Sequence, residues 1–152
     1  MATLTVTVKE DVLINGVHRG SENVTDISSI TETYSRVLDI GTGADTEVLK
    51  FGSADGAGTI SRSKLKYMRF TNLSTTAANT ITLSIEDTDS EQYIIKLAAG
   101  QSYVLYNTDF DANDASTSVA IGASYSFGGA IDLIMARAAA GTPQLEVFAA
   151  MS

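Results

Sequence analysis

Strict alternation of apolar and polar side chains is the feature of this sequence that most restricts its fold. In TLTVTV, residues 3–8, leucine and valine alternate with threonine, and TITLSIE, residues 80–86, repeats the pattern with isoleucine and leucine. Successive side chains of a β-strand point to opposite faces, so this pattern predicts strands with one buried and one solvated face. Such strands are typical of antiparallel sheets.

Four further runs alternate in the same way and predict four more strands: YIIKL, SVAIGASYSF, IDLIMAR and QLEVFA. Their side chains predicted to share a face are Tyr93, Ile95 and Leu97; Val119, Ile121, Ala123, Tyr125 and Phe127; Ile131, Leu133 and Met135; and Leu145, Val147 and Ala149. The segment at residues 23–38 has Ile27 and Ile30 at helical spacing, but its valine, threonine and isoleucine content favours at most one helical turn.

Turn signals separate these runs. Asn15-Gly16 is the strongest two-residue hairpin signal, and glycine-bearing turns recur about every ten residues. Together the patterns predict an all-β antiparallel sandwich of jelly-roll type. We expect a single β domain over residues 1–152, with an N-terminal arm or hairpin within residues 1–58 and a core sandwich at residues 59–152.

Composition limits the classes of partner. The net charge of −8 argues against nucleic-acid binding, which needs a positive surface. The chain has no cysteine, which excludes disulfides and thiolate metal sites, and it has no apolar run of the roughly 18 residues that a membrane span needs. No signal peptide is visible, so we expect a soluble protein made in a cytoplasm, with no membrane partner.

The sequence contains no coherent catalytic set, and we predict a non-enzymatic protein without a cofactor. His18 is the only histidine and is expected to be an exposed turn residue. Ser61 and Lys64 match the S-x-x-K pattern of serine acylases, but the companion motifs of those enzymes do not occur in the sequence. Asp109 and Asp111 lie in an acidic loop without the glycine and glutamate of an EF-hand, and a solvated turn or a looser calcium site both remain open there.

Four of the ten basic residues lie close together in RSKLKYMR: Arg62, Lys64, Lys66 and Arg69. The first three alternate, which predicts a common strand face. One interpretation is a solvated edge strand, because edge lysines deter unwanted strand pairing. The other is a docking face for an acidic partner surface.

Several segments resemble small structural proteins of tailed bacteriophages, in particular capsid decoration proteins: TVTVKEDVLINGVHRG, KYMRFTNLSTTAANTITLSI, IKLAAGQSYVLYN and IDLIMARAAAGTPQLEVFAA. The resemblance implies a virion component, assembled in the bacterial cytoplasm, that binds the capsid exterior as a decoration or cement subunit. It implies other virion proteins as partners, the major capsid protein first among them, and a homo-oligomer such as a trimer. A tail, collar or baseplate component is the alternative within this class, and a carbohydrate-binding module is the alternative outside it.

Overall fold

A computed structural model describes residues 1–56, 58–90, 92–106 and 130–152 of the chain. These residues form β-strands and one short 3-10 helix, which confirms the predicted all-β class. The elements are β1 (Ala2–Lys9), β2 (Val12–Ile14), β3 (Val17–Arg19), β4 (Glu22–Ile30), β5 (Glu32–Asp39), β6 (Thr46–Gly52), β7 (Thr59–Ser61), η1 (Arg62–Lys64), β8 (Leu65–Asn72), β9 (Ile81–Asp87), β10 (Gln92–Leu97), β11 (Ser102–Tyr106), β12 (Ile131–Ala138) and β13 (Gln144–Met151). The strand predicted at residues 118–127 lies outside the described residues.

Two sheets form a sandwich. The order of strands is β10-β9-β12-β6-β7 in the five-stranded sheet and β11-β8-β13-β5 in the four-stranded sheet. Neighbouring strands are antiparallel except the short pair β6 and β7. One apolar cluster fills the space between the sheets, and its completely buried members include Phe70 of β8, Leu83 of β9, Ile134 of β12 and Val147 of β13. Removal of this apolar surface from water is the main force that holds the sheets together.

The predicted inward faces are confirmed for β9 and β13, where Leu83 and Val147 are among the alternating side chains that are buried. For β12 the prediction is wrong, because Leu133 and Met135 lie on the outer face. A β-bulge causes the difference: between Ile131 and Leu133, strand β12 advances two residues while β9 advances one. The extra residue moves every following side chain to the opposite face.

The first thirty residues form a ribbon outside the two sheets. Strand β1 pairs with β4, and β2 pairs with β3 at the far end. The predicted boundary at residue 58 is therefore too late, because β5 pairs with β13 and β6 pairs with β12 inside the sandwich. We call residues 1–30 the arm.

The helical spacing of Ile27 and Ile30 also has a β explanation. Residues 22–30 form a strand, and β4 has one extra residue where β1 steps from Ala2 to Leu4. Ser29 lies in this bulge with a φ of 64°. The bulge brings Ile27 and Ile30 to the same face, where both are buried.

Candidate docking arm

The base of the arm is fixed to the outer face of the four-stranded sheet. The apolar side chains in this contact are Leu4, Val6, Ile27 and Ile30 from the arm and Tyr67, Phe148 and Ala150 from the sheet. The rings of Tyr67 and Phe148 meet edge to face with centroids 5.9 Å apart. This second, smaller cluster gives the arm a defined point of attachment on the sandwich.

The rest of the arm is open to solvent. Every residue from position 7 to position 24 is exposed, including apolar side chains that would be buried in a two-layered sheet. Val12, Leu13, Ile14 and Val17 at the far end are between 50% and 62% exposed. A two-stranded ribbon has no second layer of its own to cover such residues. The run VLI at 12–14, which breaks the alternation, is the sequence signal for this exposed end.

The end of the arm is a tight hairpin. Asn15 and Gly16 have φ values of 52° and 78°, as the predicted Asn-Gly turn requires. Across the hairpin, Val12 lies opposite Arg19 and Ile14 lies opposite Val17. Directly opposed and alternate residues share a face, so one side of the hairpin presents three aliphatic side chains and one guanidinium group. We call these four residues (Val12, Ile14, Val17 and Arg19) the tip face.

The hairpin joins the ribbon at a close backbone approach. The amide of Glu10 donates to the carbonyl of Ser21 at 2.8 Å, and a Cβ atom at Gly20 would lie 2.0 Å from the carbonyl oxygen of Glu10. Only glycine fits there without a shift of the backbone. Beside this junction His18 Nδ1 lies 3.0 Å from Asp11 Oδ1, and both side chains are exposed. His18 lies in strand β3 opposite Leu13 and not in the predicted turn, but its side chain is exposed as predicted.

The four clustered basic residues do not share one strand face. Arg62 and Lys64 belong to the 3-10 helix η1, so the predicted alternation along a strand is wrong, and β8 begins at Leu65. Lys66 is half-buried at an irregularity where β8 pairs with the end of β13. Arg69 lies on the outer face of the four-stranded sheet, where Phe148 is its cross-strand neighbour.

Three of these cations are paired with carboxylates of the same chain. Arg62 Nη2 lies 2.6 Å from Asp132, the residue of the β12 bulge, and its Nε donates to the Ile131 carbonyl at 2.8 Å. Arg69 Nη2 lies 2.5 Å from Glu146. Lys64 donates a hydrogen bond to Asp55. These contacts reduce the positive charge that the cluster offers to a partner, and its docking role stays a prediction.

The ion pair of Asp55 and Lys64 shifts the pKa of both partners. The hydrogen bond from Lys64, followed by the one from the backbone amide of Ser61, lowers the pKa of Asp55 below its ordinary 3.8. In return, the hydrogen bond to Asp55 raises the pKa of Lys64 above 10.5. Both groups are at the surface, so the pair orders the loop before β7 more than it stabilises the whole fold.

The predicted calcium loop at Asp109 and Asp111 lies outside the described residues. Among the residues that are described, no group of three or more acidic or histidine side chains is arranged to hold a metal ion. The same part of the chain contains no helix of the length and hydropathy needed to cross a membrane.

Comparison with known protein families, with curated proteins and with solved structures returned no match to this chain. The resemblance to phage virion proteins therefore stays a prediction.

Proposed function

We propose that the protein is a structural subunit of a bacteriophage particle that decorates the capsid exterior and joins its neighbours there. The observation that carries this proposal is the arm: a ribbon fixed at its base and exposed over residues 7–24, with an apolar end. Exposed apolar patches rimmed by polar residues mark interaction sites on soluble proteins. The arm therefore has the properties of an assembly element.

The sandwich supports the same proposal by its stiffness. A subunit with a dense core loses little conformational entropy when it docks, so more of its contact energy remains as affinity. The chain also has a net charge of −8, which disfavours adsorption to the packaged nucleic acid. Both properties suit a protein that covers a shell in many copies.

We further infer that the sandwich is a jelly roll. Within the described residues its eight long strands, counted along the chain, are β5, β6, β8, β9, β10, β11, β12 and β13. The first pairs with the eighth, the second with the seventh, the third with the sixth and the fourth with the fifth. This is the pairing of one long hairpin wound into two sheets, and the eighth and seventh strands also pair with the third and fourth.

Jelly rolls occur in viral capsid proteins and in lectins. The topology therefore supports both a capsid role and the carbohydrate-binding alternative, and fold alone does not decide between them. The exposed arm favours the capsid role, because binding a sugar needs no apolar ribbon end that extends into solvent.

Binding to undecorated capsids tests the proposal. We expect saturable, salt-sensitive cosedimentation of the purified protein with the capsids. The double variant Ile14→Asp with Val17→Asp should bind at least tenfold more weakly, since both side chains are exposed and the fold should tolerate the change. Val37→Asp is the matched control, an exposed valine of strand β5 in the sandwich.

The contrary outcomes are distinct. No cosedimentation at low salt would overturn the capsid role. Labelled electron microscopy that finds the protein on tails would support the tail or baseplate alternative. A strong, specific signal on a glycan array would support a carbohydrate-binding module.

A further inference from the structure

The five-stranded sheet has an open groove on its outer face. The groove has a volume of about 260 Å³, and its floor contains Ile94 and Met135, which flank Ser84 along one cross-strand row. Ile94 is 49% exposed. Met135 lies on this outer face because the bulge in β12 reverses the alternation after Ile131. Without the bulge, Ile134 and Ala136 would face outward and Met135 would face the core.

A carboxylate stands beside this apolar floor. Glu86 Oε1 accepts hydrogen bonds from Gln92 at 2.8 Å and from Ser84 at 3.3 Å. These two donors hold the carboxylate in place, and Oε2 accepts no hydrogen bond from any residue that the structure describes. The other charged residues of the groove, Arg137 and Asp45, are paired with each other at 2.8 Å. The groove therefore offers an apolar floor and one net negative charge.

The tip face has the complementary chemistry. It presents Val12, Ile14 and Val17 beside the guanidinium group of Arg19. Arg19 forms no ion pair with the described part of the chain. Aliphatic side chains against Ile94 and Met135, with Arg19 against Glu86, would cover the apolar surface and pair both charges.

We propose that the tip face of one copy docks in this groove of a second copy. The inference rests on the proposed assembly role and names the arm's neighbour as another subunit of the same protein. The base of the arm is fixed to the outer face of the four-stranded sheet, whereas the groove opens on the outer face of the five-stranded sheet. In the structure the tip face is exposed and Ile94 in the groove is 49% exposed, so the chain leaves its own groove open and the occupant comes from a neighbour.

The contact joins two different surfaces, so it is heterologous. Each subunit gives one tip face and accepts another, which produces a closed ring if the rotation closes and an open chain otherwise. The tip face consists of four side chains, far fewer than the roughly 20–30 residues that each partner contributes to a standard interface. Each contact is therefore weak, and assembly should depend on protein concentration in the micromolar range.

Charge reversal tests the pairing directly. Sedimentation velocity of the full chain should show a mass that rises with concentration. Arg19→Glu and Glu86→Arg should each weaken this self-association at least tenfold, because like charges then meet in the contact. The variant that carries both reversals should recover association to within about threefold, because opposite charges face each other again. Lys9→Glu is the control, a reversal on the arm outside the tip face, and should associate as the natural protein does.

Circular dichroism of each variant checks that the fold is retained, and recovery in the doubly reversed protein is a result that a folding defect cannot produce. The proposal is overturned if the natural protein stays monomeric at all concentrations, if the single reversals leave association unchanged, or if the double reversal does not recover it. The experiment contains no capsids. Failure of capsid binding therefore leaves this result intact, and a monomeric protein that still binds capsids removes only the inference about the second copy.

Discussion

The arm and the sandwich contain strands with the same alternating sequence pattern, but the apolar face of the strand is partly exposed in the arm and buried in the sandwich. TLTVTV and TITLSIE both alternate aliphatic residues with threonine or serine, yet Val8 is 41% exposed while Ile85 is 7% exposed. The difference is the second layer. Strand β9 faces a complete sheet, whereas β1 meets the sandwich only at the base of the arm. Alternation therefore specifies a strand and its two faces, and a partner surface decides whether the apolar face is buried.

Phe70→Ala should give the largest loss of stability, because it removes a side chain from the core of the sandwich. The ring is completely buried between the sheets. Truncation should lower the free energy of unfolding by about 3–5 kcal/mol, from lost burial and the cavity left behind. Urea unfolding followed by circular dichroism measures this change. A loss below about 1 kcal/mol would mean that the two sheets are not packed as a single core.

Ile27→Ala tests whether the base of the arm is packed against the sandwich. Ile27 is buried at the base, in a cluster smaller than the main core. We expect a loss of about 2 kcal/mol, at the low end for isoleucine truncation, because the edge of a small cluster can relax into the cavity. Val24→Ala, three residues earlier on the same strand and exposed, is the matched control and should change stability by less than about 0.5 kcal/mol. Equal effects of the two substitutions would show that the base is not docked.

The sequence predicts the strands well but predicts less well which side chains share a face, and two bulges explain much of this difference. The all-β class, the Asn15-Gly16 turn and the buried faces of β9 and β13 follow from local patterns. The bulges at Ser29 and at Asp132 depend on the pairing partner, and no local signal marks them. They decide that Ile27 and Ile30 share a face and that Met135 points outward. The alternating sequence pattern therefore does not predict the candidate groove.

The extent of the arm and the fate of the basic cluster depend on contacts between distant parts of the chain. Strand β5 belongs to the sandwich because β13, more than a hundred residues later, pairs with it. Arg62 is bound by Asp132 and Arg69 by Glu146, and both carboxylates are far away in sequence. Spacing along the chain shows that cations are near one another, but it does not show whether the fold supplies their counter-charges.

A smaller effect should come from the surface of the sandwich, at Asp55. The pKa of this carboxyl is lowered in the folded protein, chiefly by the hydrogen bond from Lys64. Its contribution to stability is therefore fully present above the ordinary value of 3.8 and is lost as pH falls through the lowered pKa. Thermal unfolding at a series of pH values should show a steeper acid loss for the natural protein than for Asp55→Asn, which lacks the titrating group. Parallel curves would mean that the pair does not form in solution.

Ile14→Ala should give the smallest effect on stability and tests the comparison most directly, because Ile134 provides the same residue type in a strand of the sandwich. Ile134 is completely buried, and its truncation should cost about 2–5 kcal/mol, whereas Ile14 is half exposed and its truncation should cost less than about 0.5 kcal/mol. Both values are measured by urea unfolding of dilute protein. If the cost at Ile14 rises with protein concentration while the cost at Ile134 does not, the side chain is covered in the assembly, since binding stabilises the folded state by mass action. A large cost at Ile14 in dilute protein would instead mean that the arm folds back onto its own sandwich, which would remove the difference between the two regions.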